Sequence, residues 1–217
     1  MITISAFKWV PPFAQGVVRD LRVRWALEEA GLPYEVRLIG PQVQKSAEYR
    51  AQQPFGQVPV YQEEGLTLFE SGAIVFHIAS KSEALLPPDD AGRARALTWT
   101  FAALNSIEIY LQQLAEIDLF VPEAEWAKLH RPDVVARIHH RLGELATWLG
   151  NREFLEDRFT VGDLMMTTVL RLLRHTDVLD AHPALKAYKE RCEARPAFQR
   201  ALAAQMAAFQ QHERREA

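Results

Sequence analysis

The sequence predicts an α/β N-terminal domain followed by an all-helical C-terminal domain. Three observations carry that division. Residues 82–92 (SEALLPPDDAG) combine paired prolines, paired aspartates and a glycine, which is linker chemistry rather than the inside of an element. Before this stretch, short β-branched and aromatic runs alternate with helical ones. After it, nearly every segment has a helical period. The boundary is expected near Pro87, with domains over 1–81 and 93–217 and the linker 82–92 between them. A chain of 217 residues has enough length for both.

In the first domain, residues 2–10 (ITISAFKWV) read as a strand that Pro11 and Pro12 stop. Residues 18–30 read as a helix, ended by Gly31 and by Pro33 beyond it. Residues 34–39 form a second strand, and a weaker helical stretch covers 45–53. Residues 58–62 and 66–69 flank Glu63-Glu64-Gly65, a hairpin signal, and 71–80 close the domain as a helix. The order βαβαββα implies a parallel core with an antiparallel final pair.

In the second domain, a helix around 97–114 is apolar on two sides, so it is expected to pack within its domain and against something else. Residues 134–149, 184–194 and 196–210 are further helices, and HERREA is a solvated tail. Thr160-Val161-Gly162-Asp163 is a capping box, with Phe159 and Leu164 placed for a hydrophobic staple.

Composition narrows the function. A hydrophobic share of 48% and a charged share of 24% describe a soluble globular chain. The net charge of −3 provides no basic field for nucleic acid. The single Cys192 excludes an intramolecular disulfide framework and a multi-cysteine zinc site, and His77, His139 and His140 lack metal-ligand spacing, so no metal is expected. No apolar run is long enough for a membrane span or a signal peptide, so a cytoplasmic protein is expected.

Two motifs point to a small peptide-like ligand. In Gln53-Pro54-Phe55-Gly56-Gln57-Val58-Pro59-Val60, Pro59 enters a strand where it cannot donate a ladder bond. A cis Val58–Pro59 bond would turn the Val58 N–H and C=O outward, while a trans bond would make an ordinary turn. In Phe69-Glu70-Ser71-Gly72, a strand runs directly into a helix. Ser71 there suits a carboxylate and Glu70 an ammonium group, or Ser71 serves simply as an N-cap.

Together these stretches resemble the glutathione transferase family, especially its plant phi-like and bacterial members. QPFGQVPV followed by LFESGAIVFHIA carries most of the resemblance. RVRWALEEAGLPYEV is similar to the family's first helix and second strand, and FTVGDLMM to its helical-domain capping box. The resemblance spans about residues 2–210. It implies a thioredoxin-like N-terminal domain, an all-α C-terminal bundle, and a homodimer that uses glutathione as cosubstrate against an apolar electrophile. Glu70 and Ser71 would hold the γ-glutamyl head, and the Val58 backbone, presented by cis Pro59, the cysteinyl part. Gln57 would contact the peptide, and Gln44 and Lys45 the glycine carboxylate. The alternative on the same fold is a non-catalytic binding or regulatory protein.

The chain departs from the family between its first strand and first helix. Relatives place a Tyr, Ser or Cys there to engage the glutathione sulfur, yet residues 6–33 contain no Ser, Thr, Tyr or Cys. Ser5 reads as a structural mid-strand residue. A helix N-terminus and a nearby arginine are alternative means of favouring a thiolate. The candidates are therefore the Gly16–Val18 helix start and Arg19, helped by Gln15, with a solvated surface charge as the other reading of Arg19. Arg22 and Arg24 are expected to face solvent or a partner subunit. Trp9, Phe13, Tyr110, Phe120 and Trp126 are candidates for an aromatic electrophile pocket. A protein-disulfide oxidoreductase working through its own thiol is disfavoured, because the N-terminal half has no cysteine.

Overall fold

A computed structural model describes residues 1–213; of the expected solvated tail, 214–217 lie outside the described residues. The chain divides into two compact units. One contains Met1–Leu85 together with the segment from Arg195 onward, and the other contains Leu86–Ala194.

The first unit is built on a four-stranded mixed sheet in the order β2-β1-β3-β4. Strand β1 (Ile2–Phe7) pairs in parallel with β2 (Tyr34–Ile39), Ile2 opposite Tyr34 and Phe7 opposite Ile39. It also runs antiparallel to β3 (Tyr61–Glu63), which forms a hairpin with β4 (Leu66–Leu68). The parallel pair is joined by helix α1 (Asp20–Ala30), as parallel strands require. Gly31, at φ 66°, ends that helix in the left-handed conformation. Short helices α2 (Pro41–Lys45) and α3 (Ala47–Gln52) replace the single weak helix expected over 45–53. Pro41 opens the first and the Ser46 side chain caps the second. Helix α4 (Ser71–Ala79) completes this part.

Strand β1 stops at Phe7 rather than Val10, and α1 begins at Asp20 rather than between Gly16 and Val18. The intervening residues form successive tight turns, with Val17 N–H on the Ala14 carbonyl at 3.2 Å and Leu21 N–H on the Val18 carbonyl at 3.0 Å. Gly16, at φ 77°, adopts a backbone conformation that an α-helix does not admit.

Helix α10 (Pro196–Gln211), read from sequence with the helical half, belongs to this first unit. The Phe198 ring meets Trp25 of α1 edge-on at 4.8 Å, and both are fully buried. Arg195 grips Glu29 with two bonds of 2.6 and 2.8 Å, and Arg200 reaches Glu28 at 2.7 Å.

The second unit is helical throughout. Helices α5 (Asp90–Ala102) and α6 (Ile109–Leu119) are joined by a π-helical turn, Ala103–Glu108. Helix α7 spans Glu125–Leu149, starting earlier than the expected 134 because Pro132 is accommodated inside it. Helix α8 (Val161–Leu170) is buried along its whole length, its polar Asp163, Thr167 and Thr168 included. Its capping box forms as expected: Asp163 accepts from the Thr160 N–H at 2.9 Å and also takes the Tyr188 hydroxyl at 2.9 Å. Helix α9 (Pro183–Glu193) carries Cys192, which is buried and free.

Candidate functional site

The QPFGQVP segment is held on both flanks by a buried hydroxyl relay. The Val60 N–H donates to Ser5 Oγ at 2.7 Å. Ser5 Oγ lies 2.8 Å from Tyr49 Oη, and the phenol donates onward to the Gln57 carbonyl at 2.7 Å. Since the phenol proton is committed to Gln57, the Ser5 hydroxyl is the donor in the middle link. Ser5 is thereby structural, as its place in the strand implies. Burial is the larger influence on the Tyr49 phenol and raises its pKa, which keeps it protonated as a donor.

Between these anchors the Val58–Pro59 peptide is cis. Among the described residues none bonds to the Val58 N–H or C=O. That pair is a ready donor and acceptor for an extended peptide. Gln57 is exposed beside it. Gly56, at φ 65°, lets the turn approach α2: a Cβ there would stand 3.2 Å from the Gln44 carbonyl. Gln44, half-buried, is in this way placed against the same turn, and Lys45 follows it in the chain, exposed.

At the start of α4, Glu70 is exposed and has φ 70° and ψ 111°. A non-glycine residue held there costs about 1–3 kcal/mol, and such strain concentrates at ligand clamps. Glu70, not Ser71, occupies the N-cap position, so the reading of Ser71 as a simple cap falls. Ser71 is instead the first helical residue and accepts from Arg22 Nη1 at 3.2 Å. This overturns the expectation that Arg22 and Arg24 face solvent. Both are 3% exposed, and Arg24 pairs with Asp20 at 2.8 Å. Sequence reasoning missed Arg22 as a site neighbour because α10 and α4, which cover α1, are distant in the chain.

The loop before α1 meets the same place. Val18 packs in one apolar cluster with Val58, Val60, Ile39, Tyr49 and Phe7. Arg19 follows Val18 and is half-buried. The Gln15 side-chain amide donates to the Val10 carbonyl at 3.1 Å, so one of its two protons braces the loop.

Phe7 and Ile39 of that cluster also line a cavity of about 590 Å³, together with Trp9, Val10, Pro11 and Gln44. Its wall is mostly apolar, and the Trp9 indole N–H is buried without an acceptor among the described residues. The other aromatic candidates stand elsewhere. Phe13 is exposed and does not line the cavity. In the second unit the Arg141 guanidinium lies 5.9 Å from the Tyr110 ring centre, Phe120 borders a shallow groove with Gln112 and Glu116, and Trp126 is exposed. Among the described residues no cluster of three or more His, Cys, Asp or Glu is arranged to hold a metal ion, and no helix is long and apolar enough to cross a membrane.

Comparison with known proteins agrees with these features. Residues 14–80 match the family model "Glutathione S-transferase, N-terminal domain", and residues 117–196 match "Glutathione S-transferase, C-terminal domain". Glutathione S-transferase 3 of Zea mays is 32% identical over 209 residues, covering 89% of this chain and 91% of its own. Disulfide-bond oxidoreductase YfcG of Escherichia coli is 29% identical over 192 residues, 81% of this chain and 86% of its own. A solved glutathione transferase family member from Pseudomonas fluorescens, with two glutathione bound, superposes with a TM-score of 0.81 at 27% identity. That match covers 93% of this chain and 92% of the other. With a thioredoxin-like first domain, a helical second one and relatives of this identity over nearly full length, the chain belongs to the glutathione S-transferase family.

Proposed function

We propose that this protein binds glutathione along the Gln57–Pro59 segment and the start of α4, and uses its thiolate on an apolar electrophile seated in the cavity beside Phe7 and Trp9. The observation that carries the reading is the Val58 backbone, whose N–H and C=O take no partner among the described residues and stand ready for the cysteinyl part. Ser71 and the exposed Glu70 supply an acceptor-and-donor set and a carboxylate for the γ-glutamyl head, while Gln57, Gln44 and Lys45 serve the remainder. The reaction is conjugation, or a glutathione-dependent reduction or isomerisation. Relatives bearing both transferase and disulfide oxidoreductase names support that range.

A free thiol has a pKa near 8.5, so only a few per cent is ionised at pH 7. With no hydroxyl in the loop, the anion is stabilised by the turn that opens α1, by Arg19, and by the second amide proton of Gln15. Val18 packing beside Val58 supports that placement. The second reading is a glutathione-binding protein without thiol activation, and the hydroxyl-free loop favours it. The protein is proposed to act in the cytoplasm, in detoxification, as a homodimer.

Titration calorimetry tests the binding claim. Wild type should bind glutathione, and Glu70→Ala or Ser71→Ala should weaken it about ten- to a hundredfold, the range for losing a charge-assisted hydrogen bond. Unchanged affinity in both variants removes the head-group site.

A further inference from the structure

We infer that Gln205, near the far end of the chain, is a positioning residue for thiol activation, because it clamps the turn that carries Arg19 into α1. The inference rests on the proposal above that this turn stabilises a glutathione thiolate. Gln205 lies on α10 and is 1% exposed. Its Nε2 donates to the Val18 carbonyl at 3.2 Å and to Asp20 Oδ1 at 2.7 Å. One amide therefore holds the residues on either side of Arg19.

The anchor on the α1 side is itself fixed. Asp20 is 1% exposed and accepts a second bond, on Oδ2, from Arg24 Nε at 2.8 Å. Burial raises the Asp20 pKa, while Arg24 and Gln205 act in the opposite direction by favouring the carboxylate. A glutamine is an expensive choice for such a place. Full burial of this residue type is uncommon, and its Oε1 has no hydrogen-bond partner among the described residues. A leucine or methionine would fill the space without that cost. What the amide adds is a pair of N–H groups that bind two acceptors flanking one residue.

The clamped turn is the one that reaches the reaction site. Val18, whose carbonyl Gln205 holds, packs in the apolar cluster of Val58, where the cysteinyl part would lie. Stabilisation of an anion by preset donors depends on their position to within a fraction of an ångström. Gln205 is neutral, so its effect on a nearby thiolate is geometric rather than coulombic.

The test compares wild type with Gln205→Leu, which keeps the volume and removes both donors. Two probes are used: glutathione, followed by thiolate ultraviolet absorbance against pH, and S-methylglutathione, followed by calorimetry. The expected result is that S-methylglutathione affinity changes less than twofold, while the thiol titration moves up by about 0.5–1 pH unit. That equals a three- to tenfold smaller thiolate fraction below the midpoint. Should Gln205→Leu fail to fold, Gln205→Asn, too short to reach both acceptors, should give the same pattern. An unmoved titration overturns the inference. So does a loss of S-methylglutathione affinity as large as the loss of thiolate, since Gln205 would then serve the fold alone. A wild-type titration no lower than that of free glutathione overturns the proposed thiol activation itself, and the inference with it.

Discussion

The Tyr49 phenol donates to the Gln57 carbonyl at 2.7 Å, and through Ser5 the same relay reaches the Val60 N–H. The two ends of the relay bracket Val58 and Pro59. A side chain from α3 thus holds the backbone that is proposed to receive glutathione, without touching the ligand. Tyr49→Phe removes one proton from this chain and leaves the Gln57 carbonyl and the buried Ser5 hydroxyl short of a partner. Stability should fall by about 1–3 kcal/mol in denaturant titration, and glutathione affinity should fall several-fold. Unaltered affinity would show that the segment keeps its shape without the relay.

Arg22 bears on the head group. Its guanidinium lies 3.2 Å from Ser71 Oγ and is nearly sealed from solvent. Arg22→Met keeps much of the bulk and removes the donor and the charge. Glutathione affinity should drop about fivefold or more by calorimetry, reflecting a lost hydrogen bond to a charged group. If Arg22 acts through the Ser71 hydroxyl, adding Arg22→Met to Ser71→Ala should lower affinity no further than Ser71→Ala alone.

Stability should depend on acid through Glu63. Hydrogen bonds from Lys81 first and Tyr61 second lower its pKa from 4.5 to about 2. A carboxylate whose folded pKa is depressed adds stability above its unfolded value and loses it as pH falls through the folded one. The contribution is therefore full above about pH 5, mostly lost by about pH 2 and gone by about pH 1. Glu63→Gln should cost about 1 kcal/mol at pH 7, discounted for the partial exposure of the pair, and almost nothing at pH 2. Thermal melts of both proteins across that range check the convergence.

Self-association is expected from the second unit. Phe101 and Ile109, flanking the π-helical turn, remain exposed in the isolated chain. Sedimentation equilibrium at micromolar concentration should return about twice 24.7 kDa. A monomer mass would contradict the proposed homodimer.

What was legible in the sequence is local. The Glu63–Gly65 hairpin and the Thr160–Asp163 box each depend on residues within a few positions of one another, whereas the cis form of Val58–Pro59 followed from the family resemblance and not from the residues alone. The Asp20–Arg24 pair has helical spacing, but its burial does not follow from that spacing. Helices distant in the chain cover α1, and the Asp20 partner Gln205 stands 185 residues away. The burial of Arg22 escapes a local reading for the same reason, since its partner Ser71 is 49 residues distant. Helix α7 starts at Glu125 rather than at the expected 134, and it runs through Pro132, a residue type that ordinarily interrupts a helix. The absence of a hydroxyl from residues 6–33 was plain in the sequence, yet the clamp on Val18 and Asp20 required a helix from the far end of the chain.

The central claim is that glutathione lies with its cysteinyl backbone on Val58, and a crystal structure with glutathione bound tests it most directly. The account predicts the Val58 N–H and C=O each paired with the cysteinyl residue at about 2.7–3.2 Å. It further predicts the γ-glutamyl carboxylate on Ser71 and the sulfur facing the turn at Val18 and Arg19. Glutathione bound elsewhere, or a Val58 backbone left unpaired beneath it, would contradict the account.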